Sequence, residues 1–384
     1  MGLDEFLNAL PEEADTPVNY ASLPELAGLT APEAEEFGRL WLEWSDRRVL
    51  EIVNRMVTLC EEHPDVEFES IYKQGLIHTN AEVRLRSLNG LEESEDRTLI
   101  KPLGEMLDSD LSVHVRAAAA ETLAHLSSMA QAGKLAPRDK KTITDMLYRV
   151  LEDESVNKTV RLKALESVAV FGGDRLTPHL EAAWSSGDMD ARQSSIYAMG
   201  RTSNPKWADY VIKDLEHDIV SLRYEAIMAI GEVGDERHLR ALQTSLDDAD
   251  LTVQLAAISA VDRIGGDLAK TQLEQQLANP EPRVVELAQQ ALETMKEEED
   301  LDKVVTPDMA RSMFGASDTL PGIDTEGYEA AEIEGWAHIN EDSSGSHDFG
   351  TGITEEAEEL GLDRGDPFDI DLPPEDPWDH EENF

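Results

Sequence analysis

The sequence predicts an all-α protein, an α-solenoid of about seven stacked helical hairpins followed by a disordered acidic tail. Three observations predict it. A Val-Arg-like dipeptide recurs at a nearly constant spacing of 31 residues. Inside each repeat the apolar residues fall at helical spacing, and no stretch sustains the period-two alternation of a strand. After residue 296 the composition changes abruptly, with 28 acids against 3 bases (Lys303, Arg311 and Arg364).

The repeat is read at Val83-Arg84, Val115-Arg116, Val160-Arg161, Ala191-Arg192, Leu222-Arg223, Val253-Gln254 and Val284-Val285, with steps of 32, 45, 31, 31, 31 and 31. Four residues past each anchor stands a small residue: Ser87, Ala119, Ala164, Ser195, Ala226, Ala257 or Ala288. Small residues there let neighbouring helices approach closely. Internal periods of this length mark arrays in which each unit buries its apolar face on the next. Each unit is read as the Val-Arg helix followed by a second helix. In one unit Leu222, Ala226, Ile227, Ala229 and Ile230 share a face, and Leu239, Leu242 and Leu246 follow. Gly173-Asp174, Gly234-Asp235 and Gly266-Asp267 supply a helix-ending glycine and the next N-cap. Ser203-Asn204-Pro205 does the same with a proline at the helix start.

The runs from Leu222-Arg223 through Gly234-Asp235 and their counterparts resemble the short HEAT repeat, the variant also found in phycobilisome lyases. The resemblance covers residues 80–296 and, more loosely, 37–79. It implies an armadillo-type superhelix whose second helices line the concave face, and it implies Arg–Asp pairs knitting successive units. Arg84, Arg116, Arg161, Arg192 and Arg223 form that row, with Asn80, Asp110, Asp188 and Asp218 in the turns before them.

The remaining segments follow in order. Residues 1–30 are punctuated by proline and read as a loose N-terminal arm with an amphipathic piece at Phe6-Leu7-Leu10. Thr30-Ala31-Pro32-Glu33 is a capping box, so a helical cap is expected over residues 31–79. Cys60 near the end of its second helix reads as a packing residue. The 45-residue step adds residues around Ser127–Thr142 and with them Lys134, Arg138, Lys140 and Lys141. These form either a solvated loop or a docking patch for an acidic partner. Residues 297–384 cannot offset their ordering entropy by burial and read as a disordered tail. Isolated aromatics, including Phe368 and Trp378 in the near-duplicate Asp366-Pro367-Phe368-Asp369 and Asp376-Pro377-Trp378-Asp379, give that tail the composition of short linear binding motifs.

Aligned on the repeat, Arg175, Lys206 and Arg237 share one column at the start of successive second helices. Trp207 with His238, and His179 with Tyr210, fill adjacent columns; Trp184 falls in a leucine column and is assigned to the core. Bases beside aromatics at helix N-termini would grip an acidic, aromatic-containing peptide. The competing reading is that they neutralise Asp174, Glu236 and Asp209.

The net charge of −48 disfavours nucleic acid. The absence of a long apolar run disfavours a membrane, and the start of the chain lacks a secretory signal, so a cytoplasmic setting is expected. No Gly-rich phosphate loop or nucleophile elbow occurs. One cysteine cannot build a thiolate zinc cage. HEAT-like deoxyhypusine hydroxylase holds two irons with repeated His-Glu pairs, whereas the one His-Glu dipeptide here is His380-Glu381, and Glu62-His63 and Glu216-His217 are reversed. The expected function is therefore a non-enzymatic scaffold or adaptor without cofactor. It would bind a protein or peptide, its own acidic tail among the candidates, along the concave face. A phycobilisome-lyase-like activity on a tetrapyrrole–protein linkage is the alternative.

Overall fold

The computed structural model describes residues 2–10, 18, 20–63 and 65–304. The chain divides into two units, residues 1–316 and 317–384, and the second lies outside the described residues, as do Phe368 and Trp378. No strand occurs among the described residues.

The first helices are α1 (Gly2–Ala9), α2 (Ala31–Leu40), α3 (Asp46–Glu62) and α4 (Glu69–Gly75). The capping box forms, with the Thr30 N–H donating to the Glu33 carboxylate at 3.0 Å. Within the expected arm, the described residues of α1 and those around Leu23 pack against the chain. Leu3 and Phe6 of α1 are buried with Leu23 and Leu26, and Phe6 stacks 6.0 Å from Phe37. An exposed apolar end of a solenoid has to be covered, and these side chains cover it. Cys60 is half-buried in α3, its sulfur 3.9 Å from the Tyr72 hydroxyl.

The repeating Val-Arg helices are α5 (Ala81–Asn89), α7 (Val113–Gln131), α9 (Lys158–Val168), α11 (Met189–Arg201), α13 (Val220–Val233), α15 (Leu251–Ile264) and α17 (Pro282–Val304). Between them lie α6 (Ile100–Ser109), α8 (Pro137–Glu152), α10 (Thr177–Ser185), α12 (Ala208–Val211), α14 (Leu239–Leu246) and α16 (Gly266–Gln276). Turns flank α12 on both sides as 3₁₀ helices, Pro205–Trp207 and Ile212–Asp214.

Packing corrects the phase of the repeat. Of its two intervening neighbours, each Val-Arg helix packs more extensively on the one before it than on the one after it, so the hairpins run α4/α5 to α16/α17. The Val-Arg helices also stack on one another, α5 on α7 and so on to α15 on α17. Small residues make that stack tight. A Cβ built on Gly200 would meet Ala229 Cα at 3.0 Å, and one on Gly231 would meet Ala260 Cα at 3.1 Å. The intervening helices touch one another more sparsely. The Val-Arg helices, not the intervening ones, therefore form the tightly packed row of the stack.

The Arg row is structural, with partners one repeat onward. Arg84 binds Asp110 through two bonds of 2.8 Å, Arg192 binds Asp214 at 2.8 Å, and Arg223 binds Asp248 at 2.8 and 2.9 Å. Arg116 and Arg161 instead donate to the carbonyls of Leu107 and Leu151. Asp188, expected as a pairing acid, caps α11 through the Ala191 N–H.

The 45-residue step lengthens two helices rather than inserting a loop: α7 runs to Gln131 and α8 starts at Pro137. Its bases are engaged. Lys134 reaches Glu95 at 3.6 Å, Arg138 reaches Asp139 at 3.5 Å, and Lys141 pairs with Asp145 one turn along. Lys140 donates to Gln131 at 2.8 Å and lies 5.3 Å from the Phe171 ring. Two of the predicted glycine stops adopt the left-handed backbone, Gly173 at φ 91° and Gly266 at φ 90°, where a side chain is strained.

Candidate functional site

The intervening helices carry a ridge of cations and aromatic rings from α8 to the segment around α12. Arg175, just ahead of α10, lies 3.9 Å above the Tyr148 ring and donates two bonds of 2.8 Å to Glu152. That guanidinium holds the Glu152 carboxyl below the usual range. His179 Nε2 stands 3.8 Å from the same carboxylate, yet burial keeps its imidazole below its ordinary value. One repeat on, Lys206 donates to the Thr177 hydroxyl at 2.8 Å and lies 4.7 Å from the Trp207 ring. Tyr210 donates to Glu181 at 3.0 Å, and that bond pushes the phenol up.

The densest part of the ridge was not read from the sequence. Trp184 is half-buried, not core. Its indole N–H donates to Asp214 at 2.9 Å, and the Arg192 guanidinium lies 4.7 Å from its ring. Tyr210 meets Trp184 edge-on at 5.3 Å, and Lys213 Nζ lies 5.0 Å from both rings. The 31-residue alignment placed Trp184 beside Leu215. The 3₁₀ turns flanking α12 advance by three residues per turn rather than 3.6 and so rotate the side chains out of the α-helical register. The usable signal was Tyr210 and Lys213, an i,i+3 aromatic–base pair.

Of the other predicted members, Trp207 is buried beneath the ridge, and Arg237 and His238 lie off it. Trp207 is 2% exposed and packs edge-on against Tyr210 at 5.2 Å. Arg237 turns back onto Asp235 at 3.0 Å, drawing that carboxyl down to about 2. His238 accepts from the Asp235 N–H at 3.0 Å and is mostly buried. The proposed column thus divides into Arg175 and Lys206 on the ridge and Arg237 off it.

The Val-Arg side carries a string of charges. Lys163 binds Glu121 at 2.9 Å and Glu166 at 3.2 Å. Burial works against its charge, but these two carboxylates outweigh that and raise its pKa. Arg201 donates to Ser128 at 2.6 Å, and Arg263 meets Glu232 at 2.8 Å. Desolvation pushes the Glu232 carboxyl up to about 7. Among the described residues no group of three or more His, Cys, Asp or Glu is placed to hold a metal ion. The described residues therefore supply no donor set for a pair of irons of the kind deoxyhypusine hydroxylase holds. A groove between α12 and α14, lined by Lys213, Glu216 and Arg240 among others, encloses about 210 Å³, and a niche beside Gly173 about 10 Å³. Small-molecule clefts typically hold ~300–1,000 Å³, so neither offers a tetrapyrrole an enclosed seat.

HEAT repeats match residues 208–293. A curated deoxyhypusine hydroxylase from Candida albicans is 26% identical over 138 residues, which are 35% of this chain and 43% of that protein. The chain thus spans less than half the length of this relative. Among solved structures, human deoxyhypusine hydroxylase in complex with glycerol is similar at 15% identity, over 70% of this chain and 97% of that one, with a TM-score of 0.31. Kap121p bound to Nup53p is similar at 15% identity, over 82% of this chain and 40% of that one, with a TM-score of 0.36. A designed armadillo repeat protein in complex with the peptide (KR)4 is 22% identical, over 63% and 99%, with a TM-score of 0.30. The likeness to the Candida hydroxylase, an enzyme, overturns the expectation of a non-enzymatic scaffold. No helix among the described residues is long and apolar enough to cross a membrane.

Proposed function

Starting from a chain that carries HEAT repeats, we propose that it is the substrate-holding body of a protein-modifying enzyme, and that the ridge from α8 to α12 grips an acidic, aromatic-containing stretch of its polypeptide substrate. The enzyme class rests on the similarity to deoxyhypusine hydroxylase. The substrate class rests on one observation, Lys213 set between Trp184 and Tyr210 with Arg175 and Lys206 on the neighbouring turns. Ammonium and guanidinium groups attract carboxylates, while ring faces and edges accept aromatic side chains. The described residues do not fit an iron pair, so no step is derived through one.

A labelled peptide with the sequence of residues 366–379 tests the grip by fluorescence anisotropy. Lys213→Glu and Arg175→Glu are each expected to weaken binding about tenfold, and the loss should shrink at high salt. Peptide binding untouched by both substitutions removes the ridge from the reading. Incubation with ferrous iron and a deoxyhypusine-bearing polypeptide, followed by mass spectrometry, tests the chemistry. Addition of one oxygen atom would show that the donor set had been misjudged.

A further inference from the structure

A second surface runs along the edge where the turns lead into the Val-Arg helices. Contacts between consecutive turns place them side by side. Lys158 at the start of α9 binds Asp188 and Asp190 at the start of α11, at 2.9 and 2.7 Å. The Ser221 hydroxyl at the start of α13 donates to Gln193 of α11 at 3.1 Å, and Asn80 before α5 donates to Asp46 of α3 at 2.9 Å.

This edge exposes apolar side chains where a solenoid turn needs none. Leu111 is 99% exposed and Ile77 80%, and Ile219 and Val220 are 40% and 38% exposed. The edge is also acidic. Residues 108–112, 153–157, 186–190, 216–220 and 247–251 include Asp or Glu in every turn and neither Lys nor Arg, while the turn of Ile77, residues 76–80, carries no charge of either sign apart from His78. Lys158, just inside α9, is neutralised by its two aspartates. Glu154, Glu216 and Asp247 are exposed on this edge.

We propose that this edge is a docking surface for a basic amphipathic helix of a partner protein. Exposed apolar residues repeated along one line mark an interaction site. The carboxylates around them select a cationic partner, and they repel a second copy of the same edge. Spacing sets the geometry. Stacked helices lie ~10 Å apart, which is about seven residues of α-helix at ~1.5 Å each. A partner presenting one apolar residue per heptad, flanked by Lys or Arg, therefore meets one turn per heptad, in the helix-on-surface mode of recognition.

The test uses the full chain and a labelled model helix of about 21 residues, with Leu at every seventh position on a Lys/Ala background. A scrambled peptide of the same composition is the control. Fluorescence anisotropy should show binding of the model helix and not of the scrambled one. Replacing Ile219→Ser with Val220→Ser, or Glu216→Lys with Asp247→Lys, should each weaken it about tenfold, with circular dichroism unchanged. Arg175→Glu on the ridge should leave it unaltered, which separates this surface from the substrate ridge. The proposal is overturned by absence of binding, by equal binding of the scrambled peptide, by indifference to both edge pairs, or by a dimer of the full chain that Ile219→Ser with Val220→Ser dissolves.

Discussion

Replacing Glu232→Gln isolates the energetics of the charge string on the Val-Arg side. Burial raises the Glu232 carboxyl from an ordinary 4.5 to about 7, with Arg263 and Arg201 opposing the rise. A displacement of that size corresponds to roughly 3 kcal/mol of preference for the protonated form in the fold. The sign follows from linkage. Below pH 4.5 the carboxyl is protonated in both folded and unfolded chains and costs nothing. As pH rises through 4.5 the unfolded chain ionises first, and stability falls until the folded carboxyl ionises near 7. Gln mimics the protonated form at every pH. The variant is expected to match the parent at pH 4.5 and to exceed it by roughly 3 kcal/mol at pH 8. The difference between the two chains is the quantity to measure, because the other 80 of the 81 acids titrate in both. Urea unfolding at both pH values reads it as a shift in midpoint at constant slope. A variant less stable than the parent at pH 8 would refute the reasoning, since the ionised Glu232–Arg263 pair would then stabilise the fold more than burial costs it.

Three further outcomes follow from packing and pairing. Arg192→Met leaves Asp214, which is 0% exposed, with only the Trp184 indole as a hydrogen-bond donor; a loss of about 3–5 kcal/mol is expected, with a changed Trp184 emission, and a stability within about 0.5 kcal/mol of the parent would contradict it. Gly231→Leu drives a side chain into Ala260 and should cost more than ~1–3 kcal/mol by thermal unfolding, whereas Gly133→Ala, with open space around its Cβ, should cost only the strain of its left-handed backbone. Phe6→Ala should destabilise the chain by about 3–5 kcal/mol and increase hydrogen exchange in α2; an unaffected α2 would mean that the first helix covers nothing.

Much of the architecture was legible because it is local. A 31-residue period, small residues four past each anchor and paired helix stops all concern groups close in sequence, and each reports a backbone conformation directly. The capping box at Thr30 and the left-handed glycine at Gly173 formed for that reason, whereas the break expected at Gly266 falls one residue earlier, at Gly265. Legibility failed where two readings share one local pattern. Apolar periodicity is the same whether a Val-Arg helix pairs with the helix after it or before it, so the hairpins were phased half a repeat out. A basic stretch around Lys140 suits a loop or a helix equally; the longer helices α7 and α8 prevailed because their apolar faces pack along the stack.

The candidate site divides along the same line. Arg175, Lys206 and Tyr210 could be picked out as bases and rings recurring at one repeat spacing. Trp184 and Lys213 could not, because their meeting depends on how far the 3₁₀ turns rotate one segment against its neighbour. The edge at Leu111 and Ile219 was equally hidden, since a leucine in a turn looks like core until its surroundings are known. The sequence by itself determined that this chain is a stack of helical units with a strongly acidic terminal segment, since periodicity and charge are properties of the string. Only the tertiary structure decided which helices stack tightly, which rings meet which cations and which apolar residues stay uncovered. Those outcomes depend on distances between residues some 20 to 40 positions apart, which packing at the stacked faces fixes and no local propensity encodes.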